Sequence, residues 1–410
     1  MNPGLSCMPY HANMKVTLNM ETALRATRFI RKHSMNSKRM RRVDVIPPNI
    51  FPRKHWTKSL AVLPELGLVV PPDETHPFCV AVPAKGSRLR MRHSRSTIYS
   101  SDCRLPAHSF IEVLPGIAIS CPELLFVEMG GLLPLKDQLM LGFELCGSFS
   151  RDAEDPLNGD VVLNCKPITT RDKLQAFLAS TRWMPGAEQT QRVLDVLSDN
   201  AWSPTEAVIA TVSSLPFGEF GYNMGACALN KRVDFSPIIA STSDKDARYP
   251  DILFPGTPVG INYDGAVHLD LDSIVNAAFD VAKNPGQAAT DIALDQVVRN
   301  VRAKAVDDIR RNRELAAMGY IVLPVVKEDL YTEGGMDHVM IQAIEAIERF
   351  GHRDMSKHLR LMQSELLKAK RQELIWSLLP GKHPDHVTRG PYSPNAPKAP
   401  TETIEIMVGF

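Results

Sequence analysis

The sequence predicts a mixed α/β (α+β) fold divided among more than one domain. Three observations carry this. The chain has 410 residues, 44% hydrophobic and 23% charged, which is enough to bury real cores; at about 150 residues per domain it divides into two or three. The segment Glu206 to Leu330 reads as helix, strand, strand, strand, long helix, strand, a mixed rather than an all-helical order. The charge is also split: up to Arg95 there are 17 basic and 5 acidic residues, a net of +12, and after it 30 basic and 41 acidic, a net of −11.

The same composition excludes several classes. The hydrophobic content rules out wholesale disorder. No apolar run reaches the roughly 18 residues of a membrane span, since Leu60 to Val70 is broken by Pro64, Glu65 and Gly67. Met1 to Met20 lacks an apolar stretch behind a basic start, so no secretory signal is expected. Seven scattered cysteines with no CxxC pair argue against a disulfide scaffold or zinc knuckle, and point to a reducing, cytoplasmic setting.

Taken in order, Glu21 to His33 has helical spacing, with Ala23, Leu24, Phe29 and Ile30 on one side and Arg25, Arg28, Arg31 and Lys32 on another. Pro47-Pro48 stops any helix after the basic run from Ser37. Val69-Val70 and Phe78 to Val82 read as strands. Arg88, Arg90 and Arg92 alternate at period two, so a strand there would present three guanidiniums on one face. Phe110 to Ser120 reads as two short strands around Pro115-Gly116, and Pro122 opens a helix. Helices are expected over Asp137 to Leu145, Thr170 to Ser180 and Ala187 to Leu197. Ser203-Pro204-Thr205-Glu206 is a capping box opening another. Leu229 to Phe235, Asp251 to Phe254 and Val259 to Tyr263 read as strands, Ala288 to Met318 as a long helix ended by Gly319, and Tyr320 to Val326 as a buried strand. Met336 to Phe350 and Asp354 to Leu379 are amphipathic helices, and the tail from Pro380 is expected to be disordered. Cys146 has no basic neighbour to lower its pKa and reads as a buried structural thiol.

Two acids stand at strand positions, Asp251 at the start of one and Asp264 at the end of the next. Adjacent strands can bring such carboxylates together around one hard cation. With Glu206 as a further carboxylate they would hold Mg²⁺, activate water and hydrolyse a phosphodiester. The bland alternative, turn and strand-end carboxylates, is equally compatible with the spacing.

The run Tyr249-Pro250-Asp251 through Gly260-Ile261-Asn262-Tyr263-Asp264-Gly265 to His268 resembles the endonuclease-like domains of the PD-(D/E)XK superfamily related to very-short-patch-repair endonucleases. Asp308-Ile309-Arg310-Arg311, Gly319-Tyr320-Ile321-Val322 and Asp329-Leu330 fit the later part of that pattern. The resemblance implies a restriction-endonuclease-like mixed sheet flanked by helices over 201–332, with Asp251, Asp264, Glu206, Asn262 and His268 as catalytic positions and Mg²⁺ as cofactor. It implies a helical extension over 333–380 and a loose tail over 381–410. Upstream, Ser120 to Phe126 and Gly142 to Gly147 resemble proteins pairing such a domain with a region similar to abortive-infection (AbiEi-type) antitoxins. That implies a smaller α+β region over 59–200 containing a degenerate winged helix, behind a basic helical region over 1–58. One departure matters: the family has Glu where Asn262 stands, and the superfamily lysine is Asp264 here. Asn262 brings a neutral oxygen and no lysine polarises the water.

The basic end sets the partner expectation. Arg28, Arg31, Lys32, Arg39, Arg41, Arg42, Arg88, Arg90 and Arg92 are the residues to contact phosphates, unless they dock on the acidic remainder of the chain. Arg311 either pairs with Asp308 or meets a phosphate. Three functions stay open: a Mg²⁺-dependent nuclease acting on DNA, a non-catalytic DNA-binding antitoxin or repressor with a worn nuclease fold, and an interaction protein with a toxin or other protein partner. No membrane partner is expected, and the oligomeric state is not legible.

Overall fold

The computed structural model describes residues 15–35, 40–46, 63–100, 102, 104–264, 271–283 and 288–381. Mixed sheets flanked by helices make up the fold, in two compact units. The first runs to Pro216 and adds Asn223–Asn230 and Leu378–Gly381, whereas the second takes Phe217–Tyr222 and Lys231–Ser377. Among the described residues no helix is long and apolar enough to cross a membrane.

In the first unit the elements are β1 (Val16–Leu18), α1 (Met20–Lys32), β2 (Arg41–Val43), β3 (Phe78–Val82), β4 (Ser94–Ile98), β5 (Phe110–Leu114), β6 (Ile117–Ser120), α2 (Pro122–Gly130), α3 (Leu135–Cys146), β7 (Phe149–Ser150), β8 (Val162–Leu163), α4 (Arg171–Ser180), α5 (Ala187–Leu194), α6 (Pro204–Ser214) and β9 (Ala228–Leu229). One mixed sheet runs β2-β5-β6-β1-β3-β4. The hairpin expected at Pro115-Gly116 is β5–β6, turned by Gly116 at φ +78. Helix α2 is buried at every position and packs on α1, α3, α4, α5 and β6, as an apolar helix must when no face meets water. Its Glu128 accepts from Met20 N (3.2 Å), Asn19 Nδ2 (3.3 Å) and Tyr99 Oη (2.7 Å), so a buried carboxyl closes the N-terminus of α1.

The first unit revises three sequence expectations. The regions 1–58 and 59–200 are not separate, because β1 and β2 belong to the same sheet as β3 to β6. The strand β1 has only three residues, too few for a period-two signal. Helix α6, expected to open the following domain, packs on α3 and belongs to the first unit. Val69-Val70 is exposed irregular chain rather than strand.

The second unit contains β10 (Val233–Asp234), α7 (Pro237–Ala240), β11 (Ala247–Arg248), β12 (Ile252–Leu253), β13 (Val259–Asp264), α8 (Leu271–Lys283), α9 (Ala288–Ala317), β14 (Ile321–Val326), α10 (Lys327–Tyr331), α11 (Gly335–Gly351), α12 (Ser356–Met362) and α13 (Glu365–Trp376). β13 pairs antiparallel with β12 and parallel with β14. A parallel neighbour requires a long crossover, and α8 and α9 supply it. Gly319 at φ +85 follows α9, as expected. The ribbon β10–β11 is bolted to α9 by Arg248 on Glu314 (2.6 Å) and Asp307 (2.9 Å), with Lys245 on Asp307 (3.0 Å).

Leu229 to Phe235, read as one strand, is broken into β9 and β10 by Asn230 at φ +46. Asp354 to Leu379, read as one helix, divides where Ser364 starts α13 by accepting from Leu367 N (3.4 Å). β14 is half-exposed, with only Val325 fully buried, rather than a buried strand. The sequence reading missed α8 altogether. The extension is integral to the second unit as far as Ser377, its last residues belong to the first, and the tail from 382 onward lies outside the described residues.

Candidate functional site

The strand pair β12–β13 positions three of the predicted catalytic residues, Asp251, Asn262 and Asp264. Ile252 faces Ile261, which brings Asp251 level with Asn262 one step further along. Asp251 N donates to Asn262 Oδ1 (2.9 Å), and Tyr263 N donates to Asp251 Oδ2 (2.6 Å). The two side chains thus stitch the strand edges together in a reciprocal clasp. Asn262 is 1% exposed, and its Nδ2 is buried with no partner among the described residues.

At the end of β13, Asp264 Oδ1 accepts from Arg311 of α9 at 2.8 Å, and the same guanidinium lies 3.3 Å from Asp308. An internal cation thus sits beside two carboxylates, Asp264 and Asp308. Glu206 belongs to the first unit, where its carboxylate is engaged at the start of α6. It accepts from Trp202 N (2.9 Å), Asn230 Nδ2 (2.8 Å) and Ser203 Oγ (3.1 Å), while Ser203 Oγ accepts from Glu206 N (3.2 Å). This realises the capping box expected from Ser203 and Glu206. Burial pushes the Glu206 carboxyl above its usual pKa, against these donors. His268 lies outside the described residues.

These residues do not fit Mg²⁺ as placed. Mg²⁺ demands an octahedral set of oxygens with carboxylates among them. Asp264 gives an oxygen to a guanidinium, Asn262 commits its neutral oxygen to a backbone N–H, and Glu206 closes a helix cap. Among the described residues no group of three or more His, Cys, Asp or Glu side chains could hold a metal ion.

The basic residues divide sharply. Arg28, 6% exposed, makes a two-pronged pair with Glu144 (2.9 and 2.8 Å). Arg31, 7% exposed, donates to the carbonyls of Glu144 (2.7 Å), Gly147 (3.0 Å) and Lys166 (3.2 Å). Arg25 pairs with Glu154, and Lys32 with Asp160 (3.1 Å) and Asp152 (3.4 Å), the hydrogen bond to Asp160 raising its pKa. Arg41 holds Glu112 (2.6 Å) and Arg42 holds Glu123 (3.0 Å). Of the two docks open to the basic end, Arg28, Arg31, Lys32, Arg41 and Arg42 use the acidic part of the chain. Guanidiniums buried against carboxylates or carbonyls, as in Arg28 and Arg31, cannot reach a phosphate. Arg311 likewise pairs inward, and Arg39 lies outside the described residues.

Arg88, Arg90 and Arg92 differ. All three are exposed, and none makes a side-chain hydrogen bond or ion pair among the described residues. They lie on a loop rather than the expected strand, because β3 and β4 are parallel neighbours and residues 83–93 must carry the chain from the end of one to the start of the other. The alternation survives in the loop: Leu89 and Met91 are half-buried, and Leu89 N donates to Ser96 Oγ (3.1 Å), so the arginines between them point outward. Lys85 is exposed on the same loop.

Four further exposed arginines lie on α9, namely Arg299, Arg302, Arg310 and Arg313. The sequence reading missed them, although their spacing of three, eight and three residues was the available signal. Cys146 is buried, as expected, and burial pushes its thiol pKa up. The chain matches no protein-family model, no curated protein and no solved structure.

Proposed function

We propose that this protein binds nucleic acid without hydrolysing it, in the manner of an antitoxin or repressor whose second unit keeps a restriction-endonuclease-like strand pair with its metal chemistry closed off. The observation that carries this reading is the loop of Arg88, Arg90 and Arg92, exposed and unopposed among the described residues, while Arg28, Arg31, Lys32, Arg41, Arg42 and Arg311 are engaged by the chain itself. Arginine presents a planar fork that matches phosphate oxygens, and unpaired forks in water gain more from an anion than paired ones. The sequence β12, β13, crossover helices and β14 supports the nuclease-type reading of the second unit. The Arg311 guanidinium at Asp264 weighs against catalysis.

The test is a salt titration of duplex DNA binding by the wild type and by a variant carrying Arg88→Gln, Arg90→Gln and Arg92→Gln. The variant is expected to bind more weakly at every salt concentration. Its plot of log K against log salt should be shallower by about 3, roughly one unit for each phosphate that an arginine no longer neutralises. An unchanged slope would remove the observation on which the reading stands.

A further inference from the structure

The charges of α9 are sorted by face. At about 100° per residue, Arg299, Arg302, Arg310 and Arg313 fall within an arc of roughly 80°. All four are exposed, and none has a side-chain hydrogen bond or ion pair among the described residues. Val306 lies on the same arc and is 40% exposed. The acids of this half of the helix fall outside it and are already neutralised: Asp307 by Lys245 (3.0 Å) and Arg248 (2.9 Å), Glu314 by Arg248 (2.6 Å), and Asp308 faces Arg311 (3.3 Å). The half-buried residues Leu294, Val297 and Val301 mark the helix's other side. One acid, Asp295, shares the arc one turn before Arg299, so the uniformly basic stretch begins at Arg299.

We propose that this face of α9 is a second phosphodiester-binding surface, which lies along the backbone of duplex nucleic acid. The proposal rests on the reading of the chain as a nucleic-acid binder and adds a site in the second unit. From Arg299 to Arg313 the stripe is about 21 Å long at 1.5 Å per residue. A duplex carries one phosphate per about 1.7 Å of its axis, so the stripe faces about a dozen phosphates and each arginine has one within reach. Arg299 with Arg302, and Arg310 with Arg313, are like charges three residues apart on a helix, an arrangement that disfavours itself until an anion is present. Ala288 to Ala317 contains no aromatic residue. Single-strand binders stack bases on aromatic side chains, and this helix offers none, which favours a duplex held by its backbone without regard to sequence.

The test uses the full chain and a duplex of about 20 base pairs, two helical turns. A variant with Arg299→Gln, Arg302→Gln, Arg310→Gln and Arg313→Gln is expected to lower the slope of log K against log salt by 3 to 4, which corresponds to about a thousandfold weaker binding at 0.1 M salt. Four Arg→Lys changes at the same positions should restore most of the slope, and a duplex of shuffled sequence should bind equally well. If the fourfold variant loses its melting transition, Arg302→Gln and Arg310→Gln singly should each remove about one unit of slope. A slope unchanged in these variants, while the Arg88, Arg90 and Arg92 variant still weakens binding, overturns the α9 site alone. Wild-type protein that binds no duplex at low salt overturns both this site and the reading beneath it. Loss of binding to polyglutamate but not to the duplex would assign the stripe to an acidic protein and overturn the proposal.

Discussion

Glu144→Ala is expected to destabilise the first unit by about 3–5 kcal/mol, the range for removing one partner of a buried ion pair. Glu144 is 1% exposed and accepts from Arg28 through both oxygens, from Arg151 Nε (2.8 Å) and from Arg151 N (3.1 Å). Without it the buried guanidinium of Arg28 and the half-buried one of Arg151 lose their counter-charge, and the ion pair that ties α1 to the end of α3 is gone. A urea titration reads the loss as a shift in midpoint, and a change below about 1 kcal/mol would contradict the account. The pH dependence has a definite sign. Burial opposes ionisation of Glu144, but the charges of Arg28 and Arg151 prevail and hold its carboxyl well below the ordinary range. A depressed folded pKa contributes stability that is full above the unfolded value of about 4.3 and is lost as the pH falls toward the folded one. The wild type should therefore lose stability below about pH 4.3 more steeply than Glu144→Ala, which has already lost that contribution.

Asp337→Ala should have an effect of similar size on the second unit, again about 3–5 kcal/mol. Asp337 of α11 accepts from Tyr222 Oη (2.6 Å) and from Arg371 Nε of α13 (2.7 Å), and all three residues are buried. Burial disfavours a charged Arg371, but the hydrogen bonds to Asp337 outweigh it and raise its pKa. Beside this triad, Gln372 accepts from Gly334 N (3.0 Å) and donates to the carbonyl of Leu330 (3.0 Å). These bonds make α11 and α13 part of the unit's core rather than an appendage. A chain ended after Tyr331 should accordingly lose the second unit's cooperative melting transition; retention of that transition would contradict this.

Much of the local structure was legible because its signals are short-range. Pro122 after Cys121, the Ser203 to Glu206 box and Gly319 after the long helix each act within one turn, and each marks an observed boundary. Elements stabilised by distant partners were not legible. β1 is three residues that become a strand only between β6 and β3, and α8 declares itself only against α9. For the site, the spacing points to Asp251 and Asp264; the residue that the strand pair brings level with Asp251 is Asn262, a position only the family resemblance singles out. What spacing cannot report is that Arg311, 47 residues after Asp264, returns to it as counter-ion. The charge split of +12 and −11 was real, but it could not say which arginines meet carboxylates. Arg28 reaches Glu144 across 116 positions, whereas the side chains of Arg88, Arg90 and Arg92 pair with no other described residue.

Binding without hydrolysis is the central claim, and one measurement addresses it most directly. Labelled duplex DNA is incubated with the full chain at low salt, with and without Mg²⁺ or Mn²⁺, then separated under native and denaturing conditions. The expected result is a retarded complex in the native separation and full-length strands in the denaturing one, with or without metal. Metal-dependent cleavage that disappears in Asp251→Ala, or no retarded complex at all, would contradict it.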